Sequence, residues 1–215
     1  MNVLIIGANG QIGKMIVEKM HESEDITPTA FIRSEDQAAQ FTAKGIDTQV
    51  ASLERQVEDI AKTMNGQDAI IFTAGSGGKT GPDKTLTVDL DGAVKTMEAA
   101  LKAGVKRFVM VSALRADNRA VWEASGIKPY FVAKHYADRI LKDIGLDYTI
   151  LRPGRLLNDT GTGKITIENP NDQKGVPRAD VAKLAVEVLK HPNTINKIIE
   201  FNEGETVIAD VLKDF

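Results

Sequence analysis

The chain has 215 residues, of which 42% are hydrophobic, and it carries a formal net charge of −3. This length suffices for one well-packed core, so we expect a single domain over residues 1–215. The acidic balance argues against nucleic-acid binding, which normally requires a basic face, and the absence of cysteine excludes disulfides, thiolate metal sites and cysteine nucleophiles.

The sequence also lacks targeting and membrane signals. Its apolar runs are all well short of the roughly 20 residues that a membrane-spanning helix requires. The first strand-like segment begins at residue 2, which leaves no room for a signal peptide. Its three histidines are scattered, so we predict no metal site. We therefore expect a cytoplasmic monomer or homodimer that binds a small-molecule substrate and neither nucleic acid nor membrane.

The first 20 residues combine an apolar strand, a glycine loop and a helical pattern. Residues 2–6 are the strand, Gly7, Gly10 and Gly13 follow at three-residue spacing, and apolar residues then recur at helical intervals. This order is the fingerprint of a dinucleotide-binding βαβ unit: Gly7 allows the turn, Gly10 lets the backbone approach a pyrophosphate, and Gly13 allows close helix–strand packing. The helix N-terminus attracts the anionic phosphates. We therefore expect a nucleotide cofactor.

Strand-like and helix-like segments alternate over the rest of the chain. Strands are predicted near residues 28–32, 48–51, 68–73, 107–112, 148–151 and 197–201, and helices near residues 35–44, 53–64, 86–103, 129–144, 179–190 and 207–215. Ser34 and Gln37 form a predicted capping box. Continuous apolar strands between helices predict an α/β, doubly wound Rossmann fold with a mostly parallel, seven-stranded sheet and helices on both faces. The polar, turn-rich segment 155–175 is predicted to be a substrate-side insertion.

An arginine occupies the position at which NAD-binding units carry an acid. Arg33 lies 20 residues after Gly13, where a carboxylate would hold the ribose 2′-hydroxyl. A guanidinium instead suits a 2′-phosphate by charge and by its planar fork of donors. Glu35 and Asp36 are explained as first-turn carboxylates of the next helix. We therefore expect NADP(H) rather than NAD(H); the alternative is a solvated surface arginine.

A second glycine-rich loop, residues 75–80, resembles an ATP phosphate loop. However, Thr73 stands where the Walker pattern requires a glycine, and Gly81-Pro82 interrupts the helix that should begin at the Lys-Thr pair. The loop is better explained as a border of the cofactor site at the carboxyl edge of the sheet.

Three residues are candidates for chemistry. Tyr130 and Lys134 share one face of the helix that Pro129 opens, since they lie four residues apart. Ser112 ends the fifth predicted strand, and this helix lies between the fifth and sixth strands in the sequence. Such a Tyr–Lys pair is common by chance, so the alternative is a surface stack beside a serine that only ends a strand.

The chain resembles the short-chain dehydrogenase/reductase superfamily over essentially its whole length. It is most similar to the small atypical and extended group of NAD(P)-binding, NmrA-like and epimerase/dehydratase proteins. The matching motifs are Gly7-Ala-Asn-Gly10-Gln-Ile-Gly13, Thr73-Ala-Gly75, Val111-Ser112, Tyr130-Phe-Val-Ala-Lys134, Leu151-Arg152-Pro153-Gly154 and Arg178-Ala-Asp180-Val-Ala.

The resemblance implies roles for these residues. Tyr130 would be the general acid/base, Lys134 would lower its pKa and hold the nicotinamide ribose, and Ser112 would polarise the substrate oxygen. A tyrosine of ordinary pKa, near 10, is a poor base at neutral pH, and a nearby ammonium favours its phenolate. The cofactor contacts expected from the fingerprint and the resemblance are Gly7, Asn9, Gly10, Gln11, Ile12, Gly13, Arg33, Ser52, Leu53, Thr73, Ala74, Gly75, Lys134 and Pro153.

Two departures from the family pattern affect this mechanism. Asp89 stands where extended members often have an asparagine that serves a proton relay, and Ser52 stands where an aspartate often faces the adenine. The function expected is an NADP(H)-dependent oxidoreductase acting on a small carbonyl or hydroxyl compound. The alternatives are a redox-sensing, NmrA-like regulator without turnover and an epimerase- or dehydratase-like activity.

Overall fold

The computed structural model describes residues 1–78, 80–167 and 174–215. The strands are β1 (Asn2–Ile6), β2 (Thr27–Ile32), β3 (Asp47–Val50), β4 (Ala69–Phe72), β5 (Arg107–Val111), β6 (Asp147–Pro153), β7 (Leu156–Leu157), β8 (Lys164–Thr166), β9 (Val176–Pro177), β10 (Lys197–Glu203) and β11 (Thr206–Val207). The helices are α1 (Gln11–His21), α2 (Glu35–Thr42), α3 (Val57–Lys62), α4 (Pro82–Lys84), α5 (Asp91–Ala103), α6 (Arg119–Ala124), α7 (Lys128–Asp143), α8 (Arg178–Glu187) and α9 (Ile208–Lys213).

The central sheet confirms the predicted fold class. Seven strands run parallel in the order β3-β2-β1-β4-β5-β6-β10. Beyond β10, the short strands β8 and β11 extend the sheet in antiparallel pairing, and β7 pairs with β9 in a separate two-stranded ribbon. These four added strands have two or three residues each, which is too short for an apolar periodicity to reveal them.

Alternate residues of each parallel strand point to opposite faces of the sheet, and both faces are apolar. Helices therefore cover both faces. On β1, Val3 and Ile5 face the apolar layer formed with α1, α2, α8 and α9. Leu4 and Ile6 face the layer formed with α3, α5 and α7. The strand is therefore apolar at every position from 3 to 6, as a strand buried on both faces must be.

The sheet has a topological switch point between β1 and β4. The chain moves outward from β1 through β2 and β3 on one side, and through β4, β5 and β6 on the other. The loops that follow β1 and β4 therefore diverge, and they open a crevice at the carboxyl edge of the sheet, where ligands bind in folds of this class.

Two local predictions are wrong in detail. The Ser34 side chain makes no capping hydrogen bond in the described structure, and the Gln37 side chain accepts from the Arg33 N–H at 3.1 Å instead of the Ser34 N–H. The helix predicted over residues 86–103 begins earlier, with α4, and passes through a π-helical segment (Thr85–Leu90) before α5. A proline is tolerated in the first helical turn, where its missing N–H costs nothing, so Gly81-Pro82 starts a helix.

The predicted insertion, residues 155–175, contributes β7 and β8, and its residues 168–173 lie outside the described part of the chain. Among the described residues, every helix is too short or too polar to span a bilayer, and no group of side chains has a metal-ligand arrangement.

Candidate active site and cofactor cleft

The loop after β1 has the close packing that its glycines predict. Gly7 has a φ of 87°, and a Cβ on it would lie 2.7 Å from the Ala74 backbone. The Gly10 N–H donates to the Gly7 carbonyl at 2.9 Å. A Cβ on Gly13 would collide with the same Gly7 carbonyl oxygen. The glycines at 7 and 13 are therefore required for the strand, loop and helix to meet as closely as they do.

The N-terminus of α1 is open to an anion. Its N-cap, Gly10, supplies no side-chain hydrogen bond, and its first turn contains no acidic residue. The first amide N–H groups of a helix have no partner within the helix, and the helix dipole favours negative charge there. This end of α1 therefore fits a phosphate or pyrophosphate group.

The first cavity lies at the carboxyl ends of β1, β2 and β4 and has a volume of about 330 Å³. The predicted cofactor contacts that line it are Gly7, Asn9, Gly10, Arg33, Ser52, Leu53, Thr73, Ala74 and Gly75. Phe31 and Leu53 are buried and give the cavity an apolar wall. At its rim, Glu54 and Lys84 form an ion pair of 2.6 Å.

The second cavity has a volume of about 680 Å³ and adjoins the first. The two share Gly10 and residues 73–76 in their walls, so together they form one cleft on either side of the glycine loop. Gln11 and Ile12 line the second cavity, as do Ser112, Tyr130 and Lys134. The structure therefore brings the three candidate catalytic residues together beside the candidate phosphate site.

Ser112 follows β5 directly and is 3% exposed. Its N–H donates to the Leu151 carbonyl at 2.7 Å, which fixes the backbone. Its hydroxyl makes no hydrogen bond with the described residues. Because a buried polar group without a partner is costly, this hydroxyl is suited to bind a ligand oxygen in the cavity.

Tyr130 and Lys134 project from the first two turns of α7. The Lys134 Nζ lies 5.6 Å from the centre of the Tyr130 ring and donates to the Val111 carbonyl at 3.2 Å. It also lies 3.8 Å from Oδ1 of Asp89, and both side chains are almost fully buried. The ammonium is therefore held between the end of β5 and the π-helical segment.

Several opposing effects act on the pKa of Tyr130. Burial raises it above its ordinary value; Lys134 acts to lower it, and Asp89 and Asp138 raise it further. Tyr130 is half-buried, and part of its surface lines the second cavity. Lys134 therefore acts on the pKa of Tyr130 in the expected direction, and burial and the two carboxylates oppose it.

A buried charge network lies behind the site. Arg152 on β6 donates to the Asp138 carboxylate on α7 at 2.9 Å and also pairs with Asp117 and Glu200. Burial raises the pKa of Asp138, while Arg152 and the Ser112 hydroxyl lower it. The hydroxyl is thus near enough to influence this carboxylate, although its geometry is not that of a hydrogen bond.

Two expected cofactor contacts line neither cavity within the described residues. Gly13 packs α1 against the Gly7 carbonyl. Pro153 ends β6, is buried, and accepts a hydrogen bond from the Leu114 N–H through its carbonyl oxygen at 2.9 Å. Each supports the cleft through the backbone.

Other residues of the second cavity were not predicted as site residues from the sequence. Ile127, Leu156 and Arg178 line it, and Leu156 belongs to the predicted insertion. Asp89 was noted only as a departure from the family pattern. Its burial depends on the π-helical segment, which leaves no recognisable signal in the sequence.

Comparison with known proteins agrees with this geometry. The model of a family described as NAD(P)H-binding matches residues 7–192. The uncharacterised sugar epimerase YhfK of Bacillus subtilis is 51% identical over 213 residues, which are 99% of each chain. The structure of the oxidoreductase ylbE from Lactococcus lactis superposes with a TM-score of 0.91 at 34% identity, covering 100% of this chain and 96% of that one.

A third similar protein is ChuY, an anaerobillin reductase from Escherichia coli O157:H7, with a TM-score of 0.80 and 25% identity over 95% of this chain and 98% of that one. These matches agree with the resemblance to the atypical short-chain dehydrogenase/reductase group. The chain belongs to the NAD(P)H-binding family, and its fold is that of the NAD(P)-binding Rossmann proteins.

Proposed function

We propose that the protein is an NADP(H)-dependent oxidoreductase that reduces or oxidises a small carbonyl or hydroxyl compound. The observation that carries this proposal is that the unpartnered Ser112 hydroxyl, Tyr130 and Lys134 line one cavity. That cavity is continuous with the glycine loop and the open N-terminus of α1.

The cofactor would lie along the cleft formed by the two cavities. The amide groups of Gln11 and Ile12 would bind its pyrophosphate, and the apolar wall of the first cavity would bind the adenine. Arg33 would bind a 2′-phosphate, because it lines that cavity and has no ion-pair partner among the described residues. A bound nicotinamide supplies or accepts the hydride.

The chain itself would supply hydrogen bonds and a proton. Ser112 would donate a hydrogen bond to the substrate oxygen and polarise it. Tyr130 would exchange a proton with that oxygen as general acid or base. Lys134 would hold the ribose next to the nicotinamide. The apolar lining from Ile127 and Leu156 favours a substrate with a hydrophobic body.

The names of relatives favour a reductase and leave a second candidate. ChuY is named a reductase and ylbE an oxidoreductase, whereas YhfK carries the name of a sugar epimerase. Epimerisation through transient oxidation would use the same three residues. A reductase consumes NADPH in proportion to product, and an epimerase leaves the cofactor unchanged at the end of each turnover.

The proposal is tested by screening aldehydes, ketones and quinones as substrates. Turnover is measured as the loss of NADPH absorbance. With any substrate found, Tyr130→Phe should lower kcat/KM by about 10²- to 10⁴-fold and leave NADPH affinity unchanged. Tyr136→Phe is the matched control, since Tyr136 lies exposed on the same helix. Full activity in Tyr130→Phe would contradict the role of this tyrosine, and NADPH binding without any turnover would favour the regulator instead.

A further inference from the structure

Arg178 has no role in the proposed mechanism, although it opens the motif Arg178-Ala-Asp180-Val-Ala and lines the second cavity with Ser112 and Tyr130. Resting on the proposed function, we propose that Arg178 binds an acidic group of the substrate. The preferred carbonyl or hydroxyl compounds then carry a carboxylate. Such a compound presents its reacting oxygen to Ser112 and Tyr130 and its carboxylate to Arg178.

The backbone next to Arg178 is held on both sides. Arg178 is the first residue of α8 and directly follows β9, which pairs with β7. Two residues later, the buried Asp180 carboxylate accepts hydrogen bonds from the Thr162 and Gly163 N–H groups at 2.9 and 2.7 Å. The ribbon of β7 and β9 and the loop before β8 therefore fix the backbone that places the Arg178 side chain in the cavity wall.

The Arg178 guanidinium has a neutral partner and an uncompensated charge. Its Nη1 donates to the side-chain oxygen of Asn158 at 2.8 Å, and it has no carboxylate partner in the described part of the chain. The residue is half-buried, and a guanidinium carries five N–H donors. Asn158 therefore orients the group and leaves most of its donors available to a ligand.

The charged side chains of the second cavity leave an excess of one positive charge. Those lining it within residues 1–78, 80–167 and 174–215 are Asp89, Lys134 and Arg178. Asp89 and Lys134 lie 3.8 Å apart and are almost fully buried, so their charges offset each other. Arg178 supplies the excess. A single negative charge on the substrate would balance it, and a planar carboxylate matches the guanidinium fork.

The surroundings of Arg178 favour a substrate acid over the pyrophosphate of the cofactor. Gly10, at the N-terminus of α1, lines both cavities, whereas Arg178 lines the second cavity alone. The strand before Arg178 pairs with β7, whose Leu156 belongs to the apolar lining of that cavity. Arg178 therefore adjoins the surface that we assign to the hydrophobic body of the substrate.

Calorimetric titration with simple aromatic acids tests the proposal without turnover. The probes are benzoate and 2-naphthoate, each compared with its uncharged amide, in the presence and absence of NADP⁺. At least one acid should bind about 10- to 100-fold more tightly than its amide, because the ionised group makes charge-assisted hydrogen bonds. Arg178→Gln should abolish this preference. Arg155→Gln is the matched control, since Arg155 is exposed, precedes β7 and lines neither cavity.

Arg178→Lys should retain part of the preference, because it keeps the charge and loses the planar fork. The unmodified protein suffices if Arg178→Gln does not fold: binding no acid more tightly than its amide would overturn the proposal. An unchanged preference in folded Arg178→Gln would also overturn it. So would a loss of affinity for NADPH and NADH alike without any acid preference, which would assign Arg178 to the pyrophosphate.

The failure of this proposal and the failure of the proposed function give different results. Because binding of the acids requires no turnover, the absence of an acid preference would leave the oxidoreductase proposal to be judged by the substrate screen. A screen without turnover would in turn leave a measured acid preference, and its dependence on Arg178, intact.

Discussion

At the scale of single residues, Arg33 governs the proposed choice of cofactor. It follows β2 directly, at the rim of the first cavity, and its side chain is exposed. The Gln37 side chain accepts its backbone N–H and so fixes the residue at the cavity mouth. Among the described residues, its guanidinium has no carboxylate partner, and it can bind a phosphate without breaking an existing ion pair.

Substituting Arg33 by aspartate tests this role. The substitution removes a charge-assisted, two-pronged contact with the 2′-phosphate and places a carboxylate that repels this phosphate in its stead. NADPH binding should therefore weaken by about 10- to 100-fold. NADH has no 2′-phosphate, so its affinity should change only a few-fold. Arg55→Asp is the control, because Arg55 is exposed and is not among the residues lining the two cavities in the described chain. An equal loss of affinity for NADPH and NADH would show that Arg33 does not recognise the 2′-phosphate.

The sequence revealed part of this residue-level chemistry. The spacing of Gly7, Gly10 and Gly13 is sufficient to predict the loop, and at Gly7 and Gly13 the close packing excludes any residue with a Cβ. Ser112, Tyr130 and Lys134 were candidates from their spacing and position, received their expected roles from a family resemblance, and do converge on one cavity. The direction of the Tyr130 pKa shift was not predictable, since it depends first on burial of the ring and then on Lys134 and on carboxylates that lie 41 residues before it and 8 after it in the sequence.

At the scale of elements, the contact between β6 and α7 positions the helix that carries the proposed catalytic residues. The ion pair of Arg152 with Asp138 joins them, and both side chains are almost fully buried. Asp138 lies one turn beyond Lys134 on the same helix. The pair therefore fixes the helix that carries Tyr130 and Lys134 against the strand that follows it.

Removal of Arg152 should be strongly destabilising. In Arg152→Leu the Asp138 carboxylate would remain buried without its partner, and we expect a loss of about 3–5 kcal/mol in the free energy of unfolding. The measurement is equilibrium unfolding in urea. Arg139→Leu, on the exposed side of α7, should change stability by no more than about 0.5 kcal/mol. A similar small change in Arg152→Leu would contradict the structural role of the pair.

Sequence patterns predicted the long elements and missed the short ones. Each of the seven parallel strands was predicted at or near its observed position. The inner strands β1, β2, β4, β5 and β6 are mostly apolar because they are buried on both faces, whereas β3 is a polar, partly exposed edge strand. Strands β7, β8, β9 and β11 depend on tertiary pairing. The π-helical segment likewise lies at the start of a stretch whose apolar pattern predicts one continuous helix. This segment carries Asp89, which pairs with Lys134.

At the scale of the whole molecule, the cleft follows from the topology. The order of the sheet opens a crevice beside β1 and β4, and two adjoining cavities of about 330 and 680 Å³ lie along it. The smaller has an apolar wall and Arg33, and the larger holds Ser112, Tyr130 and Lys134. This division suits the proposed dinucleotide, whose adenosine half would lie in the smaller cavity and whose nicotinamide half would lie beside a substrate in the larger one.

The most direct test of this account is calorimetric titration of the purified protein with NADPH, NADH and ATP. We expect saturable one-to-one binding of NADPH, with NADH at least about tenfold weaker, a difference of about 1.4 kcal/mol. ATP should bind more weakly than NADPH, because it can occupy only the adenosine half of the cleft. Failure of both dinucleotides to bind would contradict the assignment of the glycine loop and α1 as a cofactor site, and with it the proposed oxidoreductase.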